Sequence, residues 1–284
     1  MKLFRRGGIT SFVKDFFNSR PDLTGKIVVD LPAGTGKMSQ YLRDLGAVVN
    51  PYDLYPEFFK VEGLICRFAN LEKPLPIPDN HADYVLFQEG IEHLPDQLQP
   101  LREFNRILKK GGSLIITTPN PSCLRARLCN FLLDSYLIGR LPINETSAIR
   151  FLDKTNNRFY FGHVFLMSAQ KLRILGRAAG FRIAQIHPNK FSKFSLLLAI
   201  FYPVVFLVNV WAYVRSCRRR PDHDPVRTRE ILREVLWLNL HPRILFSKKL
   251  FFEMEKVDEL SEADTAFFIQ TSPAVKSDCC AEEA

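Results

Sequence analysis

Residues 26–46, "KIVVDLPAGTGKMSQYLRDLG", decide the fold. A short apolar run closes on Asp30 and Leu31, and the middle is crowded with Gly and Thr. The remainder spaces Met38, Tyr41, Leu42 and Leu45 on one helical face. A buried strand, a tight turn and an amphipathic helix, in that order, make the first half of a βαβ unit, where ligands sit at the carboxyl end of the strand.

The same alternation continues downstream. "AVVNPYD" reads as a second strand ending in Asp53, and "GLICRFANLE" leads into the Pro-rich turn "KPLPIPDN". "ADYVLFQ" is a fourth strand ending near Gln88. A helix is predicted from about Asp96 through "LQPLREFNRILKK", stopped by Gly111 and Gly112, and "SLIITTPN" is a fifth strand. The glycine loop, Asp53, Asn70, Gln88 and Thr118 all fall at strand ends, so a mostly parallel sheet would bring them to one edge. Residues 121–161 read as irregular, basic and aromatic. "SAQKLRILGRAAGFRIAQIHP" returns to a helix and a strand, and "LFFEMEKV" near residue 250 reads as a last strand.

Three ligand loops have this general look. A P-loop needs a first Gly where Leu31 stands and a hydroxyl where Met38 stands, so it is excluded. A dinucleotide fingerprint needs a third Gly where Ser39 stands. A loop around a ligand without a pyrophosphate asks only for small residues where the backbone passes close by, and a plain strand-to-helix turn asks for no ligand. Asp53 can accept both hydroxyls of a ribose, in a nicotinamide site as well as in other nucleoside sites, or can serve as a turn residue.

The discriminating stretch is "RFANLEKPLPIPDNHADYVLFQEGIEHLPDQLQPLREFNRILKKGGSLIITTPN", followed by "FGHVFLMSAQKLRILGRAAGF". From Gly25 to Ile186 the chain resembles the class I S-adenosylmethionine (SAM)-dependent methyltransferases, in particular the small-molecule branch that includes ubiquinone-biosynthesis and sugar or lipid enzymes. The resemblance implies an α/β fold. Its doubly wound, seven-stranded Rossmann-like sheet would be mostly parallel with the last strand antiparallel, carrying a cap insertion and an apolar helical insertion. It implies SAM as cofactor, with Asp30, Ala33, Gly34 and Gly36 around the methionine portion, Asp53 on the ribose, Asn70 and Leu71 at the adenine, and Gln88 and Glu89 beside the reacting methyl.

Two positions depart from the family pattern. Pro32 replaces the first motif Gly, fixing φ and removing a donor, and Asn70 replaces an Asp, though its carbonyl can still accept from the adenine amine. A base is required only for a hydroxyl or carbon-acid acceptor. His93 in "EGIEHL" and His163 in "YFGHVF" are the candidates, against structural readings in which His93 caps the next helix and His163 packs the cap.

Bulk properties bound the partners. The chain has 284 residues, 24 Phe and a net charge of +9, which suits an anionic surface such as the acidic headgroups of a cytoplasmic leaflet. No nucleic-acid module is present, so nucleic acid is not the expected partner. Six Cys without a CxxC pair, and no His at ligand spacing, argue against zinc and for a reducing compartment, with no metal expected. The N-terminus has no apolar run of the secretory kind, and "CCAEEA" is not a prenylation box.

Residues 194–214, "FSLLLAIFYPVVFLVNVWAYV", are free of charge and flanked by Lys190, Lys193, Arg215 and Arg218. Twenty apolar residues can span a bilayer, but this run lies between two strands of one sheet. A monotopic anchor or shallow hairpin, bent near Pro203, is therefore expected, with a buried or dimer-forming helix as the alternative. The expected organisation is an N-terminal helical segment (1–24), a SAM-binding core (25–190, cap about 121–165), the apolar and basic insertion (191–248), the final strand (249–260) and a loose tail (261–284). The function implied is methylation of a small or lipid-linked acceptor, an oxygen of a glycan or lipid, at the cytoplasmic membrane face. A non-catalytic binding or scaffold protein on the same fold is the alternative.

Overall fold

The computed structural model describes residues 7–153, 158–219 and 225–257; the tail expected at 261–284 lies outside them. The strands are β1 (Ile27–Asp30), β2 (Val48–Asp53), β3 (Arg67–Phe68), β4 (Ala82–Gln88), β5 (Leu108–Pro119), β6 (Ile149–Asp153), β7 (Arg158–Phe161), β8 (Phe181–Ile186) and β9 (Lys249–Lys256). Seven of them form one sheet in the order β3-β2-β1-β4-β5-β9-β8, and β6 and β7 pair as a separate antiparallel hairpin. Neighbours from β3 through β5 are parallel. β9 runs antiparallel to both β5 and β8, which makes it the reversed strand that the family resemblance implied.

The helices are α1 (Ile9–Asn18), α2 (Lys37–Asp44), α3 (Leu98–Ile107), α4 (Leu124–Leu133), α5 (Glu145–Ala148), α6 (Ala169–Ala178), α7 (Lys193–Leu197), α8 (Tyr202–Arg219), α9 (Pro225–Leu240) and α10 (Pro242–Leu245). Alternation along the strands sorts the side chains into two cores, because successive residues of a strand point to opposite faces. Val28, Leu86, Ile115 and Phe251 meet Phe12, Phe16 and Phe17 of α1 and Leu42 of α2 on one face. Val29, Val85, Phe87, Ile116, Phe252 and Met254 meet Phe104 of α3, Leu172 of α6 and Leu238 of α9 on the other. Both faces are covered, which is why the strands read as continuous apolar runs.

The structure corrects three expectations. The helix after Asp96 ends at Ile107, not at the Gly pair. Leu108 already pairs with Ala82, and Ser113 with Tyr84, so the segment holding Gly111 and Gly112 is a bulge within β5. The Gly pair thus serves a sheet irregularity instead of a helix stop. Residues 121–161 are also more ordered than their composition suggested, since they contain α4, α5 and the β6–β7 hairpin. Pro203 introduces no break: it is the second residue of α8, after a 3-10 turn (Leu198–Phe201), where a missing N–H is tolerated.

One buried charge cluster ties α1 to the far edge of the sheet. Glu253 Oε2 accepts from His187 Nε2 at 2.9 Å and from the Arg20 guanidinium. Burial works against its charge, but these two partners prevail and hold the Glu253 carboxyl below the usual carboxylate range. Glu253→Ala would leave His187 buried without its acceptor. We expect a loss of about 3 kcal/mol in chemical denaturation, of the size seen when one partner of a buried pair is removed.

Candidate active site

The carboxyl ends of β1, β2, β3 and β4 converge as the alternation required. Ala33 N–H donates to Tyr52 O at 2.9 Å and Gly34 N–H to Asp53 Oδ2 at 2.8 Å, so the glycine loop is fastened to the end of β2. The other Asp53 oxygen accepts from Tyr55 N–H at 2.9 Å. Asp30 is buried beneath the loop, where Ser39 Oγ donates to it at 2.6 Å. Burial, with nearby Asp53 adding to it against Ser39, pushes the Asp30 carboxyl up to about 7. Asp30 therefore braces the first turn of α2.

The two loop glycines have different reasons to be glycine. Both have positive φ, +54° at Gly34 and +84° at Gly36. A Cβ on Gly36 would lie 2.4 Å from Val61 Cγ2 and 2.6 Å from the Phe59 ring, whereas a Cβ on Gly34 would meet no atom within 4 Å. The 56–61 segment thus closes over Gly36, and Gly34 opens onto empty space beside the Asp53 carboxylate. An open, amide- and carboxylate-lined cradle of this kind fits a nucleoside cofactor. Pro32 follows a cis Leu31–Pro32 peptide. Asn70 is buried, and its Oδ1 accepts from Glu72 N–H at 2.9 Å; Leu71 packs at the edge of the core.

Beyond β4, the side chains are drawn into other contacts. Gln88 Nε2 donates to Thr10 Oγ1 of α1 at 2.9 Å, while its Oε1 is buried with no partner. Glu89 has φ +54°, donates its N–H to Thr117 O at 2.9 Å and is ion-paired with Lys249. Lys249 reaches this edge because β9 runs in reverse and so begins where the parallel strands end.

His93 and His163, 70 residues apart in sequence, lie with ring centroids 5.1 Å apart. His93 Nδ1 lies 2.8 Å from Phe161 O and 3.0 Å from Gly162 O, two acceptors that fix the proton on Nδ1. It does not cap the next helix; the cap hairpin holds it. Tyr136 OH is 3.1 Å from His163 Nδ1, and His163 Nε2 is 4.0 Å from Glu92 Oε1.

Glu92 was not among the residues the sequence singled out. It is 0 % exposed, accepts from Thr118 Oγ1 at 3.0 Å through Oε2, and has no hydrogen-bond donor at Oε1. Burial, reinforced by the charge of Glu89, pushes its carboxyl up to about 7. Ligand-capable atoms of Glu92, His93 and His163 lie within 4.8 Å of one another, close enough to share a proton or a cation. Sequence spacing could not show that grouping, because the cap supplies one member.

A family model described as a methyltransferase domain matches residues 1–186. The chain belongs to that methyltransferase family. It is 34% identical over 115 residues, 37% of this chain and 48% of the relative, to a ubiquinone biosynthesis O-methyltransferase from Xanthomonas oryzae pv. oryzae. It is 27% identical over 183 residues, 61% of this chain and 72% of the relative, to a demethylmenaquinone methyltransferase from Chlorobaculum parvum. The chain thus spans about half the length of the first of these relatives. A SAM-dependent methyltransferase from Archaeoglobus fulgidus superposes with a TM-score of 0.49 at 15% identity, covering 88% of this chain and 96% of that one.

Two measurements follow from this geometry. Gly36→Ala should destabilise the protein by about 2 kcal/mol or more in thermal or chemical denaturation, combining strain with overpacking. Gly34→Ala should lose only about 1 kcal/mol from its backbone conformation yet weaken nucleoside binding by calorimetry. For Glu92 the folded pKa lies above the unfolded one. The folded state therefore binds more protons between about pH 4.5 and 7, and stability falls as pH rises through that window. Glu92→Gln retains the Thr118 contact without the charge, and should gain up to about 3 kcal/mol over the unmodified protein between pH 5 and 8.

Proposed function

We propose that the protein is a SAM-dependent O-methyltransferase acting on a hydroxyl of a small, lipid-linked acceptor at the cytoplasmic face of a membrane. The observation that carries this reading is His93. Its tautomer is set by two backbone carbonyls, so the lone pair falls on Nε2, and its ring lies beside His163 and Glu92 at the carboxyl edge of the sheet. A hydroxyl acceptor must give up a proton, and an amine acceptor has less need of such a group. The relatives' named activities, O-methylation in ubiquinone biosynthesis and demethylmenaquinone methylation, agree with a small-molecule acceptor.

In this reading SAM supplies a methyl group on a cationic sulfur, an electrophile that needs alignment and exclusion of water more than activation. Gly34 gives the backbone room at the methionine portion, and Gly36, packed under Phe59 and Val61, holds the loop around it in shape together with Asp30 and Ala33. Asp53 serves the ribose, Asn70 and Leu71 border the adenine, and Gln88 and Glu89 line the side facing the acceptor. His93 holds the acceptor's proton. Glu92, beside it, stabilises the imidazolium that results, and the His163 ring packs edge-on against it.

Lipid linkage and the membrane face are supported by the run Lys193–Arg218, a helix long and apolar enough to cross a bilayer. The scaffold reading draws on Asn70, whose carbonyl oxygen is already engaged by Glu72. Calorimetry with SAM and with its demethylated product separates the two readings, since a scaffold on this fold need bind neither.

Incubation with labelled SAM and a membrane lipid extract should place label in a lipid fraction in an alkali-stable ether. His93→Ala should lower the rate by about 100-fold or more while SAM affinity stays unchanged. Equal loss of affinity and rate would remove His93 from the chemistry, and label confined to water-soluble products would remove the lipid-linked acceptor.

A further inference from the structure

We infer that α7 and α8, extended by the end of α4 and the following loop, form a docking face for an anionic phospholipid leaflet, on which α8 lies in plane and does not cross. This deepens the membrane-face reading above by naming the surface, its orientation and the lipid charge it requires. Lys193–Arg218 is a 26-residue run whose most apolar 18 residues have mean hydropathy 2.1, and only 6% of that stretch is buried. Its exposed residues Leu197, Ile200, Val204, Leu207 and Trp211 recur at three- and four-residue steps and so line one stripe. Asn209, on the opposite side, accepts from Asn239 Nδ2 of α9 at 3.1 Å. One face of the helix is thus partnered and the other is bare.

The bare stripe is continued by neighbouring elements. Arg125 N–H of α4 donates to Ser195 Oγ of α7 at 3.2 Å, and the last turn of α4 exposes Phe131 (84%) and Leu132. Leu141 in the following loop is 80% exposed. That loop also carries Tyr136, the partner of His163, so the apolar surface and the proposed base cluster share one connection. Topology adds a second link. β8 ends and β9 begins at the carboxyl edge of the parallel strands, so the insertion leaves and re-enters the sheet on the edge that holds the site.

Charge selects the occupant. No Asp or Glu occurs between Phe191 and Arg219, while Lys190, Lys193, Arg215 and Arg218 flank the stripe. Arg215 lies over the Trp211 ring at 5.2 Å, a pairing suited to the headgroup layer. A two-fold pair of copies would oppose these like charges, whereas an anionic leaflet neutralises them. Crossing the bilayer is opposed by α9, which lies alongside α8 and carries Arg227, Arg229, Glu230, Arg233 and Glu234. α9 is fastened to α6 by Arg173–Glu234 at 3.1 Å and by Gln170 to Asn239 at 2.9 Å, so a crossing α8 would drag charge into hydrocarbon or tear this layer apart.

Flotation of the full chain with vesicles tests the inference. Binding to vesicles containing phosphatidylglycerol should exceed binding to pure phosphatidylcholine by about tenfold or more and fall with salt. The triple variant Ile200→Asp, Val204→Asp, Leu207→Asp should lose that binding with SAM affinity and melting temperature retained. With Trp211→Phe and Trp237→Phe, a Trp placed by Phe206→Trp should be quenched more by lipids brominated near the headgroup than by lipids brominated at the chain end; the reverse would show a crossing helix. A chain that stays off both vesicle types, or a dimer that the triple variant converts to monomer, would overturn the inference. Flotation without SAM binding would remove the enzyme reading and leave the docking face. Methyl transfer to a lipid without flotation would do the opposite.

Discussion

Strand β9 runs against both of its neighbours, and much of the molecule's layout follows from that antiparallel placement. Its pairs with β5 run from Ser113↔Glu255 to Pro119↔Lys249, and it pairs with β8 from Phe181↔Lys256 to Ile186↔Phe252. A reversed strand must begin at the edge where the parallel strands end. The chain from Ile186 to Lys249 therefore has no need to cross the sheet and is free to become a helical layer. The same reversal delivers Lys249 to Glu89, where a cation balances the carboxylates gathered at the strand ends. Glu253, on the same strand, gathers His187 and Arg20 and fixes α1 against the first core.

At the site, the electrostatics divide between two buried carboxyls with different surroundings. Asp30 has Ser39 as donor and belongs to the loop; Glu92 has Thr118 on one oxygen and faces the histidine pair with the other. The cap joins this second group through main-chain atoms, since Phe161 O and Gly162 O orient His93. Displacement of the β6–β7 hairpin would remove the acceptors that hold the proton on Nδ1 and free the ring to exchange tautomers.

The parallel half was legible because its signals are local. Apolar runs of strand length, a Gly-rich turn and the carboxylate at Asp53 all lie within a few residues of the contacts they make, and Gly34 to Asp53 joins adjacent strand ends. The Gly111–Gly112 pair misled because a glycine after an amphipathic helix is the usual stop signal, yet the bulge opposite Ala82 and Tyr84 depends on the register of another strand. Glu92 carries no local signal of its own in the sequence, and its burial is what distinguishes it. Tyr136 and Lys249 enter the site through the cap and through the reversed strand, contacts separated by 27 and 160 residues, and no local period encodes them. α9 was hidden by its composition: its charged residues pair with α6, so its pattern does not show the simple apolar stripe of a helix laid on a core.

The insertion also has a narrow doorway. Lys248 N–H donates to Lys190 O at 2.9 Å, and Phe191 bridges to Ser247, so the chain leaves and returns through residues in direct contact. A segment whose ends already touch adds little closure entropy, whatever its length. Such a segment can be lengthened, shortened or swapped for another without altering the register of β8 and β9. Among the described residues, the buried insertion side chains Ser192, Ser195, Leu238, Ile244, Leu245 and Ser247 would have to be matched, Leu238 and Ile244 because they belong to the sheet's core. The sheet that builds the candidate site and the helical layer laid beside it are therefore separable parts of one chain, joined at this doorway.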